Sequence, residues 1–87
     1  MTALRVAKNV YAAQLAGEAV ILHLDTKRYY RLNATGAEVW KGIEAGEDRD
    51  ALARRLVREF TVELATAAEE VDRLLERLRE ARLVESQ

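Results

Sequence analysis

The 87-residue chain contains no cysteine and no proline, and only one histidine, one tryptophan and one phenylalanine. Without cysteine there is no disulfide, no thiolate metal ligand and no thiol nucleophile. The single serine, Ser86, stands one residue from the end, and His23 is the sole imidazole. Neither a Ser-His-Asp nor a Cys-His device can be assembled from these groups. One histidine with scattered carboxylates also falls short of a zinc site, which takes about three or four converging ligands. Glycines 17, 36, 42 and 46 fit no phosphate-binding loop. No run approaches the ~18 apolar residues of a membrane span, and the N-terminus lacks a signal-peptide core. A formal net charge of −1 exerts no long-range pull on nucleic acid or anionic membrane. These absences predict a soluble cytoplasmic protein that is not an enzyme and holds neither metal nor cofactor.

What is present suits one small folded domain spanning residues 1–87. Hydrophobic residues make up 49% of the chain and charged ones 33%, with both signs interspersed. A chain of this length buries roughly 60–68% of its unfolded surface, enough for a single thin core.

The most informative run is Tyr29-Tyr30-Arg31-Leu32-Asn33-Ala34-Thr35-Gly36-Ala37-Glu38-Val39-Trp40, a short strand leading into a capped helix. Tyr30 and Leu32 stand two apart and share a strand face. Asn33 and Thr35 can each accept a backbone N–H at a helix start, and Thr35-x-x-Glu38 spells a capping box. Val39, Trp40 and Ile43 continue as an apolar stripe at helical spacing, with Trp40 in the core.

Around this junction the chain divides into a β-rich front and an α-rich back. Val20, Leu22 and Leu24 alternate with Ile21, His23 and Asp25, the period of a half-buried strand. Gly17-Glu18 turns into it from a strand at about residues 10–15, and Asp25–Arg28 leads on to Tyr29–Leu32. His23 shares a face with Ile21 and reads as a packed or edge imidazole. The first helix, residues 34–45, ends at Gly46. Asp48 caps a second, in which Leu52, Leu56 and Phe60 repeat every four residues, backed by Ala53 and Val57. Val62 lies in the link to a third helix with the stripe Ala67, Ala68, Val71, Leu74, Leu75 and Leu78. Charged residues fill its opposite face, with Glu69–Arg73 at pairing distance. Arg54, Arg55 and Arg58 form a small solvated basic patch, and Leu83-Val84 returns to the core. The predicted class is α+β and winged-helix-like: a three-stranded antiparallel sheet followed by a three-helix bundle.

Such a meander has two exposed edges, whose free N–H and C=O groups invite another strand. The last strand carries Arg28 and Arg31 but no proline. If the third helix packs beside it, backbone forms one wall of a groove and apolar side chains the other. That geometry captures an extended peptide by strand addition.

The segments Ala19–Asp25, Tyr29–Asn33 and Gly36–Trp40, with the Phe60-x-Val62 link and the closing Leu83-Val84, resemble the PqqD-like family, also called RiPP recognition elements. Within it the chain looks most like the discrete B1 proteins of lasso-peptide biosynthesis. The resemblance implies that the leader segment of a ribosomally made precursor lies antiparallel on Tyr29, Tyr30, Arg31 and Leu32. The facing helical positions would be Ala67, Val71, Leu74 and Leu75, with Glu70, Asp72 and Arg73 at the rim. A Tyr-x-x-Pro segment and a downstream aliphatic residue would fill apolar pockets along the cleft. The implied partner is a separate cysteine-protease-like leader peptidase, conventionally B2. Two positions depart from the family: Thr26-Lys27-Arg28 lacks a turn glycine, and Arg82 stands where glycine often precedes Leu-Val. A PqqD-type chaperone for a radical-enzyme pathway and a small winged-helix DNA-binding regulator are the competing readings. Near-zero charge and the strands-first order count against the latter.

Overall fold

The computed structural model describes residues 4–86. Its strands are β1 (Leu4–Val6), β2 (Val10–Leu15), β3 (Glu18–His23), β4 (Arg28–Leu32) and β5 (Val84–Ser86). The helices α1 (Ala34–Glu44), α2 (Arg49–Glu59) and α3 (Leu64–Glu80) lie between β4 and β5. β2, β3 and β4 form an antiparallel meander, in the α+β order read from the sequence. β1 and β5 add a two-stranded ribbon in which Leu4 pairs with Ser86 and Val6 with Val84. Three-residue strands at opposite ends of the chain carry no local period, so the sequence reading found only the burial of Leu83 and Val84.

Asn33 caps α1, its Oδ1 accepting from the Gly36 N–H at 3.0 Å. Thr35 therefore falls inside the first turn and the Thr35-x-x-Glu38 capping box does not form. Glu38 turns instead to Arg55, at 2.8 Å. Asp48 caps α2 by accepting from the Ala51 N–H at 2.9 Å. α1 and α3 end alike. The N–H of Glu47 bonds Gly42 O at 3.0 Å, and the N–H of Leu83 bonds Leu78 O at 2.9 Å. This closure needs a left-handed residue just past the helix. Gly46 supplies it at φ +82°, and Arg82 at φ +60°.

One hydrophobic cluster joins the layers. Ile21 comes from the sheet, Val39, Trp40 and Ile43 from α1, Leu52 and Leu56 from α2, and Val71 and Leu78 from α3. Trp40 is fully buried, and its indole N–H donates to Glu44 at 3.1 Å. His23 is buried on the same sheet face as Ile21 and packs as a core residue. Two surface assignments change. Val57 turns outward instead of backing the α2 stripe. Arg55 is not part of a solvated patch: with 18% of its side chain exposed, it clamps Glu38 and Glu47, each at 2.8 Å. That clamp holds the Glu47 carboxyl below its ordinary range and the Arg55 guanidinium above its own.

Candidate peptide-binding groove

The phase of the sheet determines which backbone groups face outward. The Leu24 N–H bonds Asn9 O at 2.9 Å, so the opposed residues 9 and 24 stand at a hydrogen-bonded position of the β2–β3 ladder. Antiparallel ladders alternate. Hence Val20 and Leu22 direct their backbone to β2, and Ala19, Ile21 and His23 direct theirs to β4. Across the β3–β4 register, Arg28, Tyr30 and Leu32 receive those bonds. Tyr29 and Arg31 direct N–H and C=O away from the sheet. β4 has β3 on one side and no further strand among the described residues. Two residues with unpaired backbone thus form an open edge.

Beside this edge lies a cleft of about 470 Å³ between β4 and α3. Arg31, Leu32 and Asn33 form one wall, and Ala67, Glu70, Leu74 and Arg77 of α3 form the other. The four helical residues follow one another at steps of three or four, so they make one continuous stripe. Val39 of α1, Leu56 and Phe60 at the end of α2, and Val62 in the following link close the floor. Gly36 allows α1 to press against the strand, since a Cβ there would stand 3.1 Å from Leu32 Cβ. A second, separate hollow is lined by Tyr30 and Arg28 with Glu80, Ala81 and Arg82. The rim carries both signs. Arg31 pairs with Glu18 at 2.9 Å and Glu70 with Arg73 at 3.5 Å.

The residues singled out from the sequence separate into distinct locations. Arg31, Leu32, Ala67, Glu70 and Leu74 come together around the cleft. Tyr30 lines the second hollow, and Tyr29 is 72% exposed on the outer face of the sheet. Val71 is completely buried in the core cluster that also holds Ala67 and Leu74, and unlike them it does not reach the cleft. Leu75 and Asp72 face the opposite side, in a separate hollow with Leu4, Leu52 and Arg49. There Asp72 accepts two bonds from the Arg49 guanidinium, the NH2 bond at 2.8 Å. This pairing holds its carboxyl below the ordinary range. Arg73 meets Glu70 and lies outside the cleft lining.

Sequence reasoning did not single out Phe60, Val62, Thr66 and Arg77 as lining residues. For Arg77 a signal existed, three positions beyond Leu74 on the same stripe. Phe60 and Val62 depend on how the α2–α3 link closes, which no local spacing encodes. Among the described residues no group of three or more His, Asp or Glu side chains converges as a metal site, and no helix is long and apolar enough to cross a membrane.

Comparison with known proteins adds to this geometry. The PqqD family, described as coenzyme PQQ synthesis protein D, matches residues 18–84. A solved structure of TbiB1 in complex with the TbiA(beta) leader peptide is 27% identical, with a TM-score of 0.88 over 93% of this chain and 94% of that one. A lasso peptide synthetase B1 complexed with the leader peptide has the same fold at 24% identity, with a TM-score of 0.85 over 94% and 96% of the two chains. No curated sequence matches the chain significantly.

Proposed function

The chain belongs to the PqqD-like family of RiPP recognition elements, and on that premise we propose that it captures the leader segment of a ribosomally made precursor peptide. The observation that carries the proposal is the open edge of β4 beside the α3 cleft. The leader adds as an antiparallel strand, bonding the N–H and C=O of Tyr29 and Arg31. Its apolar side chains enter between Leu32 and the Ala67–Leu74 stripe. The binding set is Tyr29, Tyr30, Arg31, Leu32, Ala67, Glu70 and Leu74. Val71, Asp72 and Leu75 act from behind by fixing α3 in place. The chain has no chemistry to perform; it presents the bound leader to a separate cysteine-protease-like B2 peptidase in lasso-peptide maturation. A 27% identical neighbour solved in complex with a leader peptide supports leader capture.

The test is isothermal titration with a synthetic leader from a precursor encoded beside this chain. Binding at about 1 μM or tighter is expected. Val62→Asp, at a partly buried position of the cleft lining, should weaken it roughly 10–150-fold, the equivalent of losing one anchor worth about 1.5–3 kcal/mol. Val71→Asp and Leu74→Asp should instead unfold the chain, because each places a carboxylate in the core. Unchanged binding by a folded Val62→Asp chain would place the leader elsewhere.

A further inference from the structure

The hollow at the start of β4 has a charge character that the apolar cleft lacks. It encloses about 330 Å³, with Thr26, Arg28 and Tyr30 on one side and Glu80, Ala81 and Arg82 on the other. At the cleft, Arg31 is satisfied by Glu18 and Glu70 by Arg73. Arg28, Arg77 and Arg82 differ: among the described residues, none of the three has a carboxylate within ion-pair distance. Arg77 ends the helical stripe of the cleft, three positions before Glu80. This end of α3 and β4 therefore sets three guanidinium groups against one carboxylate, Glu80.

Arg82 supplies an independent sign. Its backbone is left-handed at φ +60°, a conformation that glycine adopts freely and other residues resist. The bond from the Leu83 N–H to Leu78 O holds it there. Strain of this kind concentrates at binding sites. Here the strained residue is an arginine lining a hollow beside the open edge of β4.

The direction of the leader decides which part of it arrives. Leu32, at the end of β4, lies across from Thr66, Ala67 and Glu70 of α3, and Arg28, at its start, lies across from Glu80. Strand and helix thus run in opposite directions. A leader antiparallel to β4 runs with α3, enters at Leu32 and leaves at Arg28. Its residues opposite Leu32, Tyr30 and Arg28 fall two apart and share the α3 side. The step from Leu32 to Arg28 is ~13 Å of extended chain. From Leu74 to Ala81 the helix advances ~10 Å, so the two walls keep pace.

We propose that this hollow is a carboxylate-binding subsite, and that the chain selects leaders with an Asp or Glu about four residues after the apolar residue seated between Leu32 and Leu74. Charge selection rests on the leader-capture function proposed above. Guanidinium groups suit it because they bond a carboxylate through paired, charge-assisted N–H groups.

The test is titration calorimetry with the synthetic leader, first scanned with alanine to find its apolar anchor. Each leader Asp is then replaced by Asn and each Glu by Gln. The chains are wild type, Arg82→Gly and the double variant Arg28→Gln with Arg82→Gly, their folds verified by circular dichroism. One neutralised leader residue, about four positions after the anchor, should weaken binding to wild type about three- to tenfold, and binding to the double variant less than about twofold. Arg82→Gly should bind the unaltered leader more weakly than wild type, although it relieves strain in the fold. At ~1 M salt, where the screening length is ~3 Å, these differences should shrink. A leader that binds wild type equally well with every carboxylate neutralised overturns the subsite. An equal loss on wild type and the double variant also overturns it, by placing the partner of that carboxylate elsewhere. Either result leaves leader capture standing, whereas a wild-type chain that captures no leader refutes the groove and the subsite together.

Discussion

Arg31→Pro probes the outer edge of β4 directly. The alternation of the ladder directs the Arg31 N–H away from β3, so replacing it removes a donor the sheet does not use. Proline is tolerated at an edge when its missing N–H faces solvent. The change also removes the Arg31–Glu18 ion pair, whose side chains are 73% and 47% exposed and which contributes about 0–1 kcal/mol. The fold should survive with a modest loss. For an incoming strand the consequence is larger. One bond of about 0.5–1.5 kcal/mol disappears, and the leader carbonyl that accepted it is left unpaired, at about 1–3 kcal/mol. Leader binding should therefore weaken roughly 10–2,000-fold, whereas Arg31→Ala, which keeps the N–H, should bind nearly as wild type. Tyr30→Pro is the reciprocal control: its N–H bonds β3, so that change should lower the melting temperature. Hydrogen exchange provides a second readout, with the Tyr29 and Arg31 amides protected only when leader is bound. An Arg31→Pro chain that remains folded and binds as tightly as Arg31→Ala would refute the edge assignment.

Arg55→Met should cost about 1.5–3 kcal/mol at neutral pH, because Glu38 and Glu47 lose their charged donor. The folded-state depression of Glu47 gives this effect a pH sign. Its contribution is present above the ordinary carboxylate pKa of about 4.3 and is lost as pH falls through the lowered folded value. The stability gap between wild type and Arg55→Met should narrow below about pH 4, and a gap that widened in acid would contradict the clamp. Arg82→Gly should raise stability by about 0.5–1 kcal/mol in urea melts, because relief of left-handed strain exceeds the added freedom of the unfolded chain. Leader affinity should change only weakly with salt, since backbone bonds and apolar burial supply the contact; a loss of several-hundred-fold, as when about six or more phosphates are neutralised and their counterions released, would contradict this.

The strand–helix junction was legible because its signals are local. The period-two face of Tyr30 and Leu32 and the Asn33 cap lie within a few residues, and the structure uses both. Helix ends at Gly46 and the Asp48 cap were legible for the same reason. Arg82 was noted only as a missing glycine, and its left-handed conformation shows why glycine suits that position. The groove was harder to read, because α3 carries two adjacent apolar stripes and both have helical spacing. Periodicity cannot tell which stripe packs on α2 and which faces β4. The sequence reading therefore placed Val71 and Leu74 together; they stand about 60° apart around the helix, both pack in the core, and only Leu74 also reaches the cleft. Asp72 looked like a rim residue until Arg49, 23 positions away, drew it to the far side. Arg55 was misread similarly, its acceptors lying 8 and 17 positions away.

A strand added at β4 has its side chains alternating between two environments. Those on the side of Tyr30 and Leu32 face the cleft and α3, while those on the side of Tyr29 and Arg31 face solvent on the outer sheet. Backbone bonds to Tyr29 and Arg31 are indifferent to sequence, so they supply affinity and register without selecting a leader. Selection therefore depends on the residues that enter the cleft, where Leu32, Phe60, Val62 and Leu74 demand apolar shape. The alternate, outward residues are free of that demand.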